Sequence, residues 1–281
     1  MAVRPDSPFG ARLRTALDER GPLCAGIDPH TALLAQWDLS DDVAGLERFA
    51  YTVVEALADR VAALKPQSAF FERYGSRGIA VLERVVDDAR SAGTVLIMDA
   101  KRGDIGSTVA AYADAYLVPS SPLFSDALTA NPYLGFGSLE PLYAAAEKNN
   151  AGVFVLGLTS NPEGSQVQGA TGASGRTVAE EMITAAAVRN AGASPMGPIG
   201  VVVGGTVETP DFDLAQLNGA YLVPGVGAQG ATPADVRRIF GAGAHNVVPS
   251  NSREILRGGP SIAGLRDAAA RAVDELRGML D

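Results

Sequence analysis

Four ionisable residues lie close to apolar runs: Lys65 within Ala62 to Gln67, and Asp99, Lys101 and Asp104 in Asp99-Ala100-Lys101-Arg102-Gly103-Asp104, which closes the run Thr94 to Ala100. A charge next to a buried strand is costly unless it is paired. These residues alternate in sign and are expected to neutralise one another as an array. In extended backbone, positions 99 and 101 project to the same side, so an Asp99 carboxylate and a Lys101 ammonium can share one pocket. An ammonium held in that way can stabilise a carbanion-like centre and then supply it with a proton. A lone Asp-x-Lys pair would also fit an ordinary structural ion pair at a strand end.

A second chemistry sits further along the chain. Pro224-Gly225-Val226-Gly227-Ala228-Gln229-Gly230 is a Gly-rich turn, and Thr232-Pro233 after it reads as a helix start. Exposed backbone N–H groups and a helix N-terminus both favour an anion such as phosphate. Arg253, just past the next apolar run, can grip phosphate oxygens in a bidentate fork.

Elements that could position these groups recur regularly. Eight apolar runs are read as strands: 23–28, 62–67, 94–100, 127–131, 152–159, 199–204, 220–225 and 246–250. They are continuous rather than alternating, as parallel strands covered on both faces require. Helix-length segments at 41–60, 71–92, 108–117, 138–148, 177–190, 233–240 and 261–279 separate or follow them, with Ser138 and Thr232 as cap residues. Such alternation means a barrel or a doubly wound sheet, and the count of eight favours the barrel: the expectation is α/β, a single (β/α)8 barrel over residues 1–281 with an N-terminal helix. The polar, Gly-rich stretch Gly164 to Gly175 directly follows the fifth run, where barrels carry binding and gating residues.

Bulk properties narrow the choice. At 281 residues and 47% hydrophobic content the chain can bury one large core, and its net charge of −9 argues against a nucleic-acid partner. The one cysteine, Cys24, lies in an apolar run and is expected to pack rather than react. His30, His245 and Trp37 are likewise assigned to packing or surface, and no His/Cys cluster has metal-ligand spacing, so no metal is expected. No signal-peptide pattern and no apolar stretch near ~20 residues is present, which leads to an expectation of a soluble, cytoplasmic protein without a membrane partner.

The segment Met98-Asp99-Ala100-Lys101-Arg102-Gly103-Asp104-Ile105-Gly106-Ser107-Thr108 resembles the Asp-x-Lys-x-x-Asp signature of orotidine 5'-phosphate decarboxylases. Likeness extends to Lys65-Pro66-Gln67 with Phe70-Phe71-Glu72, to Asn131-Pro132-Tyr133-Leu134-Gly135, to Leu158-Thr159-Ser160-Asn161-Pro162 and to Pro224–Gly230, particularly as found in the longer bacterial subgroup. The resemblance implies decarboxylation of orotidine 5'-phosphate to UMP without a cofactor, in pyrimidine biosynthesis. It implies Lys101 as proton donor, Asp99 and Lys65 as its charged neighbours, and Asp28 on ribose hydroxyls. It further implies Thr159 or Ser160 at the pyrimidine edge and Gln229 with Gly230 on the phosphate side. It also implies a homodimer in which Asp104, Ile105 and Thr108 enter the neighbouring subunit's site. The segment Pro249-Ser250-Asn251-Ser252-Arg253 departs from the Gly-Arg pair of shorter members, so Arg253 matches less closely than Lys101.

Three other readings stay open on the sequence. A keto-gulonate-phosphate decarboxylase or hexulose-phosphate synthase of the same superfamily would use Mg2+ and carboxylate ligands, yet Lys65 occupies the second-strand position. A non-catalytic pyrimidine-nucleotide-binding barrel would keep the phosphate loop but would not need the charge array. A Schiff-base aldolase using Lys101 is the third.

Overall fold

The computed structural model describes residues 7–226 and 230–280. Its strands are Cys24–Ile27 (β1), Ala63–Pro66 (β2), Val95–Arg102 (β3), Ala127–Ala130 (β4), Gly152–Leu158 (β5), Ile199–Val203 (β6), Tyr221–Pro224 (β7) and Val247–Asn251 (β8). They pair in parallel in chain order, and β1 closes against β8 to form a barrel. Each strand overlaps one of the apolar runs, with β3 continuing two residues and β8 one residue past the end of its run. Parallel neighbours need a crossover long enough to return to the same edge, which is why a helix follows most strands.

Two buried layers hold this barrel together. The larger lies between strands and outer helices and includes Leu64, Leu96, Leu128 and Val153 with Phe49, Val85, Leu142 and Ile183. The smaller fills the barrel itself: Cys24, Ala63, Val95, Ile97, Ala127, Phe154, Leu222 and Val248. The helix Phe9–Arg20 adds Phe9, Leu13, Ala16 and Leu17 to this interior cluster, so it stoppers the end at which the strands begin. Gly152 makes room for it, since a Cβ there would stand 2.4 Å from the Phe9 ring.

A charge pair locks the stopper. The Arg12 guanidinium pairs with Asp126, donates to the Asn150 carbonyl at 2.7 Å, and Asp126 also accepts the Leu96 N–H at 2.8 Å. Both side chains are largely buried, at 8% and 14% exposure. Arg12→Ala leaves that carboxylate without its cation and is expected to cost about 3 kcal/mol of stability, read as a lower urea midpoint, with kcat unchanged because the site is at the other end.

Local signals placed some boundaries and missed others. Thr232 begins the helix Pro233–Phe240 as expected, in a capping box with Asp235. Ser138 is not a helix cap: a 3-10 turn, Phe136–Leu139, precedes the helix Glu140–Lys148, and the Ser138 hydroxyl donates to the Gly135 carbonyl at 2.7 Å. The segment expected at 71–92 is two helices, Ala69–Glu72 and Ser76–Ser91, broken at Gly75, whose φ of 63° lies in the left-handed region. Gly164 to Gly175 is more regular than its composition implied, with a helical turn Ser165–Gln168 and a Thr171–Thr177 bridge. Among the described residues no helix is long and apolar enough to cross a membrane.

Candidate active site

Side-chain alternation carries the interior of the barrel directly into its charged rim. On β2, Ala63 packs inside and Lys65 follows two residues later; on β3, Val95 and Ile97 lead to Asp99; on β4, Ala127 leads to Thr129. Lys65 and Asp99 are therefore buried, at 7% and 6% exposure, although both are charged. The Lys65 Nζ donates to Asp99 Oδ2 at 2.7 Å. The Lys101 Nζ donates to Asp99 Oδ1 at 2.6 Å, and the Thr129 hydroxyl donates to the same oxygen at 2.9 Å.

The route by which Lys101 reaches Asp99 differs from simple strand alternation. Lys101 has φ of 48°, the left-handed region, and the β3–β4 register shifts between Met98 and Arg102. Two residues of extended chain would have placed 99 and 101 on one side; instead a bulge turns Lys101 at the rim, leaving its side chain 45% exposed while its amine still meets Asp99. The carboxylate beneath is dry and the ammonium above it is accessible to a ligand.

Charge coupling within the row is strong. Burial alone would raise the Asp99 pKa, but Lys65 and Lys101 outweigh it and hold the carboxyl at about 2. Burial likewise works against the Lys65 ammonium, yet Asp99 and Asp28 overcome it and keep Lys65 protonated well beyond the ordinary lysine range. Asp28 is half-buried at the end of β1, and its Oδ1 is enclosed with no hydrogen-bond partner among the described residues. Burial pushes the Cys24 thiol up to about 12, so it is a neutral core group.

The remaining expected residues surround this row unevenly. Thr159 follows β5, and its N–H and hydroxyl are both bonded to the Gln168 side chain at 2.8 Å, which folds the Gly-rich loop back over it. Ser160 beside it is exposed. Gly230 follows β7 with φ of 109°, whereas Gln229 lies outside the described residues. The helix start at Thr232 is internally capped: Asp235 accepts the Thr232 N–H at 2.9 Å and Thr232 accepts the Asp235 N–H at 3.2 Å, so a carboxylate already lies at the end that was expected to face an anion. Arg253 is exposed just beyond β8 and has no ion partner among the described residues.

Asp104 is not part of the row within this chain. Its Oδ1 accepts the Ile105 N–H at 2.8 Å, and among the described residues it makes no ion pair with Lys101. Ile105 and Thr108 are exposed next to it. No group of three or more His, Cys, Asp or Glu side chains is disposed to hold a metal among the described residues.

Comparison with known proteins places the chain in a family. Residues 21–262 match the model of the orotidine 5'-phosphate decarboxylase / HUMPS family. The chain is 62% identical over 271 residues to an orotidine 5'-phosphate decarboxylase of Streptomyces coelicolor, covering 96% of this chain and 97% of that protein. The chain belongs to the orotidine 5'-phosphate decarboxylase / HUMPS family.

The orotidine 5'-phosphate decarboxylase of Salinispora arenicola is 59% identical over 272 residues, covering 97% of this chain and 98% of that protein. A crystal structure from Streptomyces avermitilis superposes with a TM-score of 0.95 at 58% identity, covering 100% of this chain and 98% of the other. The Leishmania donovani OMP decarboxylase structure gives 0.75 at 28% identity, covering 98% and 99%.

Within this family member, the rim also holds groups that sequence reasoning had not singled out. Thr129 is one, visible in the sequence only as a polar residue inside Ala127-Leu128-Thr129-Ala130-Asn131. Arg102 is another: its guanidinium pairs with Glu72, which also takes the Ser68 hydroxyl, and it lies over the Tyr112 ring at 5.5 Å. Gln67 and Ser68 then donate to the Asp99 carbonyl at 3.1 and 3.2 Å. The segment after β2 thus braces the backbone of β3 from one side. Of the packing assignments, Trp37 donates to the Leu256 carbonyl at 2.9 Å, His30 stands edge-on to Phe70, and His245 bonds the Ala242 carbonyl.

Proposed function

We propose that this protein decarboxylates orotidine 5'-phosphate to UMP, with no metal and no cofactor, and that residues 1–281 act as one decarboxylase domain. The supporting observation is the Lys65–Asp99–Lys101 row, with Asp99 ionised between two ammonium groups at the end of the barrel where the strands finish. The C6–carboxylate bond breaks, its electron pair stays on C6, and CO2 leaves. Lys101 then gives a proton to C6, and the amine is reprotonated from water. The Lys101 ammonium stabilises the charge that develops on C6, which is worth more in a site shielded from water than in bulk. Asp99 aims both ammonium groups, and Lys65 reaches toward the ribose.

Asp28, whose Oδ1 lacks a partner among the described residues, accepts from the ribose hydroxyls. Thr159 or Ser160 reads the pyrimidine edge, which requires Gln168 to release Thr159. Gly230, Gln229 and Arg253 take the phosphate. The working form is a cytoplasmic homodimer in which Asp104, Ile105 and Thr108 complete the partner's site. In support, Ile105, Tyr133 and Leu134 are 61%, 71% and 55% exposed, an apolar face at the same rim.

Loss of orotidine 5'-phosphate absorbance, followed with purified protein in excess EDTA, tests this reading. Turnover to UMP at the same rate with and without chelator is expected. A rate abolished by EDTA and restored by Mg2+ would move the protein to the metal-dependent branch of the superfamily.

A further inference from the structure

The register of β3 against β4 singles out Thr129. Met98 pairs with Leu128, and the next pair is Arg102 with Ala130. Asp99, Ala100 and Lys101 therefore face one residue of β4, Thr129, across the bulge. A ladder bond cannot serve the Lys101 N–H there, because that residue is turned to φ of 48°. The Thr129 hydroxyl oxygen accepts it instead, at 3.0 Å.

That same hydroxyl has one proton to give. Two acceptors lie near it, the Asp99 Oδ1 at 2.9 Å and the Met98 carbonyl at 3.5 Å. The shorter contact commits the proton to Asp99, on the oxygen that also receives the Lys101 ammonium at 2.6 Å. Thr129 is 1% exposed, so water does not replace it in either bond. One side chain thus grips Lys101 by its backbone and, through Asp99, by its amine.

We infer that Thr129 is a positioning residue for the decarboxylation, its hydroxyl setting the placement of the Lys101 ammonium by holding the turned Lys101 backbone and the Asp99 carboxylate together. Resting on the function proposed above, this adds a residue that touches neither the substrate nor the reacting carbon. A hydroxyl with this role acts on the chemical step and not on nucleotide capture. Valine keeps the shape and β-branching but removes both bonds. Serine keeps the hydroxyl.

Steady-state kinetics with orotidine 5'-phosphate separate the possibilities. Thr129→Val is expected to lower kcat about 10- to 100-fold, as misplacement of a reacting group by about 1 Å does. KM and the affinity for UMP should stay within about threefold, since the groups that take ribose and phosphate are untouched. Thr129→Ser should stay within about threefold of wild-type kcat. Should the valine variant fail to fold, judged by circular dichroism and thermal melting, Thr129→Ala carries the same expectation. The inference is overturned if the hydroxyl-free variants keep wild-type kcat. It is also overturned if serine loses as much as valine, or if the loss falls on KM alone. A wild-type protein that does not turn over orotidine 5'-phosphate would instead remove the functional reading, independently of Thr129.

Discussion

Lys101→Ala should lower kcat for orotidine 5'-phosphate by at least about 10^4-fold, combining loss of a proton donor with loss of a charge that stabilises the transition state. That factor corresponds to about 5 kcal/mol or more of barrier. The fold should survive, because the Lys101 side chain is 45% exposed and Asp99 retains Lys65 at 2.7 Å and Thr129 at 2.9 Å after its removal. Thermal melting within a few degrees of wild type, together with UMP affinity within about tenfold, would show that only the chemistry is lost. Lys101→Arg should not rescue turnover, since a guanidinium keeps its charge but does not give up a proton in the working pH range. A Lys101→Ala enzyme with turnover within tenfold of wild type would remove the role assigned to this residue.

Asp99→Ala is expected to damage stability as well as rate. Lys65 is 7% exposed and would lose the carboxylate that opposes its burial, leaving only the half-buried Asp28 nearby. Breaking a buried pair from one side costs about 3 to 5 kcal/mol, and loss of an electrostatic organiser lowers kcat by roughly 10^3-fold. The milder Asp99→Asn variant isolates the effect of pH. Asp99 is held at about 2 in the folded protein against an ordinary 3.8, so the unfolded chain binds its proton first as pH falls. The stability contributed by the ionised form is fully present above about pH 4 and is lost between about pH 4 and pH 2, amounting to about 2 kcal/mol. Urea unfolding across that window should show wild type losing about 2 kcal/mol more than Asp99→Asn. Parallel curves for the two proteins would contradict the coupling of Asp99 to its lysines.

The paired charges at Lys65 and Asp99 were readable because burial penalises unpaired charge, so two such residues in apolar runs had to meet something of opposite sign. The same penalty did not tell where Asp104 would be. It sits beyond the strand, bonded to its own neighbour's N–H, where solvent removes the need for a partner in the same chain. Arg102 and Glu72 carry opposite charges and pair with one another, yet lie thirty positions apart in sequence. Nothing in their local pattern distinguished a brace on β3 from a solvated surface pair. Thr129 was hidden for a different reason: threonine is an ordinary strand residue, and its importance comes from which backbone lies across from it.

Local pattern favoured the barrel through its count of eight strands and gave the chemical types gathered at the rim, since continuous apolar runs, helix periodicity and buried charges are properties of neighbouring residues. The left-handed turn at Lys101, the displaced register opposite Thr129 and the Phe9–Arg20 stopper seated over Gly152 emerged only once distant segments were packed. Register and close contact depend on pairs of residues far apart in the chain, and one-dimensional spacing carries no record of which pairs will meet.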